Sequence, residues 1–567
     1  MIIQEGNSMK YKPYQAPLYE ALLHYQKSGN RSFHVPGHKN GQAYRVLMNT
    51  GNRKQHGSSD FMPAAAFLDM MQMDVTEITG TDDLHHPEGV ILGAQQLAAD
   101  CFGAEESFFL VGGSTAGNLA MLLTVCDEPQ SIVLVQRNVH KSVIHGLMLA
   151  GARAVFLEPH VDPSSGLAVM PSVETVGAAV QAYPEAKGVL VTLPNYYGMG
   201  ADLKPIADIC HGAGMPLLVD EAHGAHYGQH PELPASALSC GADGVVQSTH
   251  KMLSAFTMGA MLHIQGPLLN RSLLRQRLAM VQSSSPSYPV MASLDLARRL
   301  LHVQGADTFT AGLAAVDAFK RGLAELPRFQ LLQPVQALQQ EPPAEAKPAA
   351  GGNKAADASR RPTAPPAAAM PSAAGYTAQD PFKAVIYDGA GVLSGYGLQQ
   401  QLEAYGCVPE MSDERYVVLL FSLGSTRSDA EHLLQALERI SQANENELRQ
   451  SLNESSTQAA KKAVHYISTW NNLLDPSVDS FSEPIVFSLQ PISEKDTAKV
   501  ELEDCAGYRS AEMIIPYPPG IPLLYAGERI SPAAVKRIQL LRDEGARFHG
   551  AADDTLRSLK VMKEGQS

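Results

Sequence analysis

A lysine placed directly after a buried strand can do chemistry that a solvated lysine cannot. In QSTHKMLSAFTMGAMLH (residues 247–263), Lys251 follows an apolar run and sits beside Ser248, Thr249 and His250. Burial disfavours the ammonium form and frees the neutral amine that condenses with a carbonyl compound to a Schiff base. Most lysines at strand ends are merely solvated, so the weight of this one comes from its company. VDEAHGAHYG (219–228) places Asp220 at the end of the run MPLLVD, the edge where ligands of open α/β sheets gather. A carboxylate there can pair with a protonated pyridine nitrogen and keep the ring charged as an electron sink. A helix N-cap is the plainer reading of the same aspartate. FLVGGSTAGNLAML (109–122) gives two glycines, then Ser114 and Thr115, then an apolar helix, so amide N–H groups and hydroxyls converge as in a phosphate cradle. A simple cap is the even alternative; there is neither a GxxxxGK loop nor a GxGxxG fingerprint. RNVHKSVIHG (137–146) puts His140 after the next strand, where an imidazole can lie flat on an aromatic ring, although lone histidines are more often structural. His223 and His226 invite a metal reading, but no HExxH motif or carboxylate partner completes one, and no metal is expected.

The elements that must position these residues are strands and helices in alternation. From residue 88 to 263, short β-branched runs alternate with amphipathic stretches, the pattern of an α/β fold whose sheet carries helices on both faces. SIVLVQ (131–136), ARAVFLE (152–158), KGVLVTLP (187–194), MPLLVD (215–220) and DGVVQST (243–249) read as strands buried on both faces, as in a mostly parallel sheet. The intervening HKSVIHGLMLAGA and LKPIADICHGAG read as helices with terminal glycines suited to C-caps. His140, Asp220, Lys251 and the Ser114/Thr115 pair each follow a different strand on the same side of the sheet, which would gather them.

The expected organisation is an N-terminal segment at 1–60, a major domain at 61–330, an Ala/Pro-rich linker or insertion at 334–381 and a smaller α+β domain at 382–567. Between 341 and 375 there is no Leu, Ile, Val or aromatic residue, so burial cannot offset ordering entropy there and a flexible segment is expected. A second polar insertion is expected near 443–500; its stretch 443–462 fits an exposed helix or a disordered insertion equally well.

At 567 residues the chain exceeds one ordinary hydrophobic core. A formal charge of -14 argues against sequence-independent nucleic-acid binding. No apolar run approaches the roughly 20 residues of a membrane helix, and the first residues lack the pattern of a signal peptide. A cytoplasmic protein is expected. The six scattered cysteines form no CxxC pair and suggest buried thiols.

In combination, HVPGHKNG (34–41), TEITGTDDLHHPEG (76–89), GGSTAGN (112–118), RNVHKS (137–142), VDEAHGAH (219–226), the Lys251 segment, SSSPSYPVMASLD (283–295) and AEMIIPYPPGIPLL (511–524) resemble the Orn/Lys/Arg decarboxylase class I family. The resemblance implies an aspartate-aminotransferase-like (fold type I) architecture, pyridoxal 5'-phosphate as cofactor, and loss of the α-carboxylate of arginine, lysine or ornithine as CO2, feeding polyamine or agmatine supply. It implies cofactor attachment at Lys251, a pyridine-nitrogen contact from Asp220, ring stacking by His140 and phosphate contacts from Ser114, Thr115 and Ser248. His223 is counted among the cofactor-binding residues, and His250 or Lys251 would return the proton. Ser283 maps to a hydroxyl that reaches the partner subunit's phosphate, so a homodimer or higher homo-oligomer is implied. Asp82, Asp83 and Glu512 lie in family-like motifs as candidates for the distal cation of the substrate, each with a capping or solvated role as the plainer alternative. The chain departs from longer relatives in carrying the Ala/Pro-rich insertion and lacking their N-terminal wing domain. The pattern begins at Tyr14, which leaves Met9 as an expected alternative start. A different reaction of the same cofactor, transamination or aldol cleavage, and a non-catalytic regulator are the competing readings; an intact Lys251 argues against the second.

Overall fold

Continuous β-branched runs become strands only if both faces find apolar cover. The computed structural model, which describes residues 11–42, 44, 65–334, 376–443, 480–517, 522–543 and 547–563, gives them that cover. Its first strands are β1 (Glu106–Leu110), β2 (Ile132–Gln136), β3 (Arg153–Leu157), β4 (Val189–Thr192), β5 (Met199–Gly200), β6 (Leu217–Asp220), β7 (Gly244–Gln247) and β8 (Ala260–Ile264). They are followed by β9 (Phe329–Leu331), β10 (Ala378–Gln379), β11 (Lys383–Asp388), β12 (Met411–Ser412), β13 (Val417–Leu420) and β14 (Ile485–Val486). The main sheet has the order β1-β8-β7-β6-β4-β2-β3-β14. Its centre, β7 through β3, is parallel, while β8 runs against both β1 and β7 and β14 runs against β3.

The period-two rule sorts these strands between two cores. Leu134, Val155, Val189, Val191, Leu217, Val219 and Val245 belong to one apolar cluster. Val133, Val135, Ala154, Phe156, Leu190, Leu218 and Val246 belong to the other, on the opposite face. The five runs read as strands in the sequence all hold one, and each is buried on both sides, as a parallel sheet demands. The helix after β2, Lys141–Ala150, ends on Gly151 at φ 61°, the left-handed C-cap its sequence suggests. The helix Lys204–Gly212 instead runs through its first terminal glycine, and Gly214 takes the positive φ of 69°.

Because β1 and β7 both oppose β8, they run parallel to each other. The helix start after β1 and the chain exits of β2, β6 and β7 therefore lie on one edge of the sheet. The helix Gly113–Val125 packs closely over β7, since a Cβ at Gly117 would sit 2.5 Å from Val246 Cγ2.

The N-terminal helix Pro17–Ser28 is part of the main core through Leu18 and Leu22. It is anchored by Asp295, which accepts from Leu18 N at 3.1 Å, and by Arg298, which donates to the carbonyls of Pro13 and Gln15. A second, antiparallel sheet of order β12-β13-β11-β9 carries the helices Thr310–Ala324 and Arg427–Ala443. β9 and β11 pair directly, so both sides of the Ala/Pro-rich stretch share one sheet. The stretch 335–375 lies outside the described residues, but 376–381 departs from the expected linker. Tyr376 is buried, β10 pairs with β5 of the major domain, and Phe382 follows into the core. Tyr376 and Phe382 are buried aromatic residues, of which the sequence of 341–375 contains none. Of the expected polar insertion, 444–479 lies outside the described residues, whereas 480–500 contributes β14 to the main sheet. Leu502, Ile514, Leu524, Ile538 and Val561 centre a separate small core near the C-terminus. The six cysteines are free; Cys126, Cys210 and Cys505 are buried. Among the described residues no helix is long and apolar enough to cross a membrane.

Candidate active site

β6 ends on Asp220, which is 2% exposed. Its Oδ2 accepts from Asn118 Nδ2 at 2.8 Å and its Oδ1 from Ala222 N at 3.2 Å. The second N–H of Asn118 reaches Ser142 Oγ at 3.0 Å. Ser142 lies against His140 Nδ1 through Oγ at 2.8 Å and donates its backbone N–H to that nitrogen at 3.2 Å. Nδ1 is thus an acceptor and the ring proton sits on Nε2. Burial pulls the His140 pKa down, partly opposed by Asp220 and reinforced by Lys251. Asn118 therefore couples the buried carboxylate to a neutral, N-capping imidazole, a role that nothing in its local sequence announces.

Lys251 lies in the short helix Thr249–Met252 that follows β7. Burial lowers its pKa, while Asp220 and Glu410 act in the opposite direction. Its Nζ is 3.0 Å from His223 Nε2, and His223 Nδ1 is 3.1 Å from Nζ of Lys383. His223 is pushed well below the ordinary histidine range by burial, then by Lys383, Lys251, His140 and His226. His226 bonds Asp380 at 3.1 Å, both fully buried. One histidine thus meets two lysines, and the other meets Asp380 in the turn between β10 and β11. Among the described residues no group of His, Cys, Asp and Glu could hold a metal ion.

Ser248, buried, donates to Ser114 Oγ at 2.9 Å at the start of the helix Gly113–Val125, where Thr115 is exposed. Gly113 takes φ 71° as the chain turns into this helix. His250 donates from Nδ1 to the Gly259 carbonyl at 2.9 Å, which leaves its Nε2 lone pair free in the neutral ring.

The remaining candidates lie elsewhere. Asp82 is spent on the backbone: Oδ1 accepts from Asp83 N and Glu88 N, and Oδ2 from Gly89 N, Ile91 N and Leu92 N. Asp83 accepts from His85 N at 2.8 Å in the same turn. Glu512 accepts from Ala552 N and Lys560 N inside the C-terminal unit. All three take the capping alternative in this chain, their carboxylate oxygens accepting from peptide N–H groups. Glu410 is the carboxylate that sequence reasoning missed. It is exposed, and its charge raises the pKa of Lys251, Lys383 and Tyr196 together, so it faces the same space. Ser283 is exposed on a loop, where His85 Nε2 bonds its carbonyl at 2.9 Å.

The arrangement fits a phosphorylated pyridine aldehyde. Asp220 is a buried carboxylate with no contact ion pair among the described residues, and its oxygens accept from two neutral N–H donors. A buried anion in that state calls for a cation, and a ring N–H⁺ is one. At the other end, hydroxyls and amides stand at a helix N-terminus, with an amine of lowered pKa in the same site.

The description "Orn/Lys/Arg decarboxylase, major domain" matches residues 16–429, and "Orn/Lys/Arg decarboxylase, C-terminal domain" matches 487–564. The uncharacterized protein YaaO of Bacillus subtilis is 36% identical over 528 residues, covering 93% of this chain and 94% of its own. An arginine decarboxylase of Halalkalibacterium halodurans is 30% identical over 554 residues, covering 98% and 99%. The crystal structure of a Francisella novicida lysine decarboxylase superposes with a TM-score of 0.71 at 22% identity, covering 97% of this chain and 81% of that one, and shares the fold.

Proposed function

This chain belongs to the Orn/Lys/Arg decarboxylase family, and from that premise we propose that it is an amino-acid decarboxylase that uses pyridoxal 5'-phosphate to convert L-arginine to agmatine and CO2. The observation that carries the reading is the meeting of a buried, ion-pair-free carboxylate, Asp220, with a lysine of lowered pKa, Lys251, at the carboxyl edge of one parallel sheet. Arginine is chosen over lysine and ornithine because the arginine decarboxylase relative matches over almost the whole length of both chains.

In this reading Lys251 holds the cofactor covalently, Asp220 keeps the proton on its ring nitrogen, and Ser114, Thr115 and Ser248 hold its phosphate. Pyridoxal phosphate, when bound, supplies the electron sink that takes the pair left behind as CO2 departs. His140, neutral and fixed by Ser142, offers a flat face without adding charge beside the ring nitrogen. His250 Nε2 presents a lone pair that can take and return a proton. Glu410 at the mouth faces the distal guanidinium, for which a carboxylate is the natural bidentate partner. Ser283 serves the phosphate of the second copy in a homodimer.

The test is an absorbance spectrum of purified protein beside Lys251→Ala, then CO2 and amine assays with arginine, lysine and ornithine separately. A cofactor band that vanishes in the variant, with CO2 and agmatine from arginine, supports the reading. CO2 from lysine or ornithine alone would move the substrate, and no band after added cofactor would remove Lys251 from its role.

A further inference from the structure

Lys251, His223 and Lys383 form a hydrogen-bonded row, with Nζ of Lys251 3.0 Å from Nε2 and Nζ of Lys383 3.1 Å from Nδ1 of the same ring. A neutral imidazole has one N–H and one lone pair, and an ammonium can only donate. The row is therefore satisfied only when the amine facing the ring N–H is neutral and accepts from it, while the other, most strongly as an ammonium, donates to the ring lone pair. Two ammonium ends would leave the ring N–H aimed at a cation.

We propose that Lys383 is the proton store for Lys251, with the His223 ring as the link. The Lys251 ammonium passes a proton to Nε2, and the proton on Nδ1 passes to the neutral amine of Lys383. The products are neutral Lys251, an ammonium at Lys383 and the other tautomer of His223, with charge conserved and no further reactant. The inference rests on the reading of Lys251 as the cofactor-bearing amine, which must be neutral when it attacks and needs somewhere to leave its proton.

The surroundings suit this role. Lys383 stands on β11 of the smaller sheet, is 2% exposed, and forms no ion pair among the described residues. A lysine buried in this way is costly as packing alone. Its stem passes a gap made by Gly198, where a Cβ would lie 2.6 Å from Lys383 Cβ. Burial lowers Lys383 to about 8, with Asp380 and Glu410 opposing and Lys251 reinforcing the shift. His223 is faced by His140 and His226 as well as both lysines, all of which keep it neutral, and the Tyr196 ring meets it edge-on at 4.9 Å. Asp220 and Glu410 face Lys251. Two amines lowered by the same cause and joined by a neutral ring can exchange one proton without passing through solvent. Lys383 is thus a positioning residue, acting through His223.

The experiment is competitive acetylation of Lys251 by acetic anhydride across neutral and alkaline pH, read by mass spectrometry on the cofactor-stripped full-length chain. Lys383→Met removes the store, so Lys251 keeps its proton to higher pH. Its titration moves up by about one unit, and its labelling at neutral pH falls roughly tenfold. Lys383→Gln, which keeps a polar partner for Nδ1, shifts the same way if the methionine variant does not fold. In a His223→Phe background, Lys383→Met adds no further shift. Unchanged Lys251 profiles in the Met and Gln variants, or an equal Lys383→Met shift without His223, would overturn the proposal. Because labelling needs neither cofactor nor turnover, its failure is distinguishable from failure of the decarboxylase reading, which the CO2 assay tests.

Discussion

Asp220→Asn separates the chemistry of the site from its packing. The substitution preserves shape but removes the charge. A ring nitrogen cation at contact distance from a carboxylate gains about 4 kcal/mol at an effective dielectric near 20. Losing it should lower kcat/KM for arginine by roughly a thousandfold. The fold should hardly notice. Asn118 now donates to one oxygen of Asp220 and Ala222 N to the other, so the new amide leaves one donor facing a donor. The Asn118 carbonyl oxygen is buried with no hydrogen-bond partner among the described residues, and rotation of that side chain offers an acceptor at the cost of its bond to Ser142. One neutral hydrogen bond exchanged for another is worth about 1 kcal/mol, so the melting temperature should move by only a few degrees. Asp220 raises the pKa of both Lys251 and His140, so its loss lets burial lower them further. Lys251 should then label faster at neutral pH while catalysis collapses. The assays are CO2 release, thermal melting and acetylation of Lys251. A variant that keeps a tenth of its activity with an unchanged melt, or whose Lys251 titrates higher, would refute the argument.

Other substitutions divide the carboxylates by task. Glu410→Gln should raise KM for arginine about five- to tenfold with kcat largely kept, the loss of one charge-assisted contact at a wet site; steady-state kinetics decide this, and a fall in kcat at constant KM would not fit. Asp82→Ala should leave KM unchanged and lower stability by about 2 kcal/mol in denaturant unfolding, because it strips acceptors from the start of the helix Val90–Phe102 and puts alanine at φ 69°. Glu221 is raised by burial from 4.5 to about 8, so the folded protein keeps a proton that the unfolded chain has released. That contribution is present in full below the unfolded value and is lost as pH rises through about 8. Melting temperature should fall across this window in the wild type and be flatter in Glu221→Gln; parallel curves would contradict it.

Much of the architecture was legible because its signals are local. A parallel strand must bury both faces, so SIVLVQ, VLVT and LLVD declare themselves by composition, and the residue that follows each is placed at the sheet edge by chain continuity alone. That reasoning locates Asp220, His140, Lys251 and the Ser114 helix start without any contact being known. β8 and β14 were not singled out, since an antiparallel or edge strand adds nothing to the alternation of strand and helix.

What the sequence by itself determined, then, is the class of fold, the family, and the residues whose position depends on one strand end. Tertiary structure decided the rest, because the deciding partners are far away in the chain. Asn118 reaches Asp220 across 102 positions, and Lys383 reaches His223 across 160. Glu410 sits in a loop with no distinguishing spacing and acquires meaning only when the smaller sheet brings its charge near Lys251. At Asp82 and Glu512, acidic residues in suggestive motifs, the sequence left a substrate contact and a capping role both open, and the fold shows their oxygens accepting from peptide N–H groups. A sequence displays which groups can ionise; only the packed chain decides which of them meet one another and which are already satisfied.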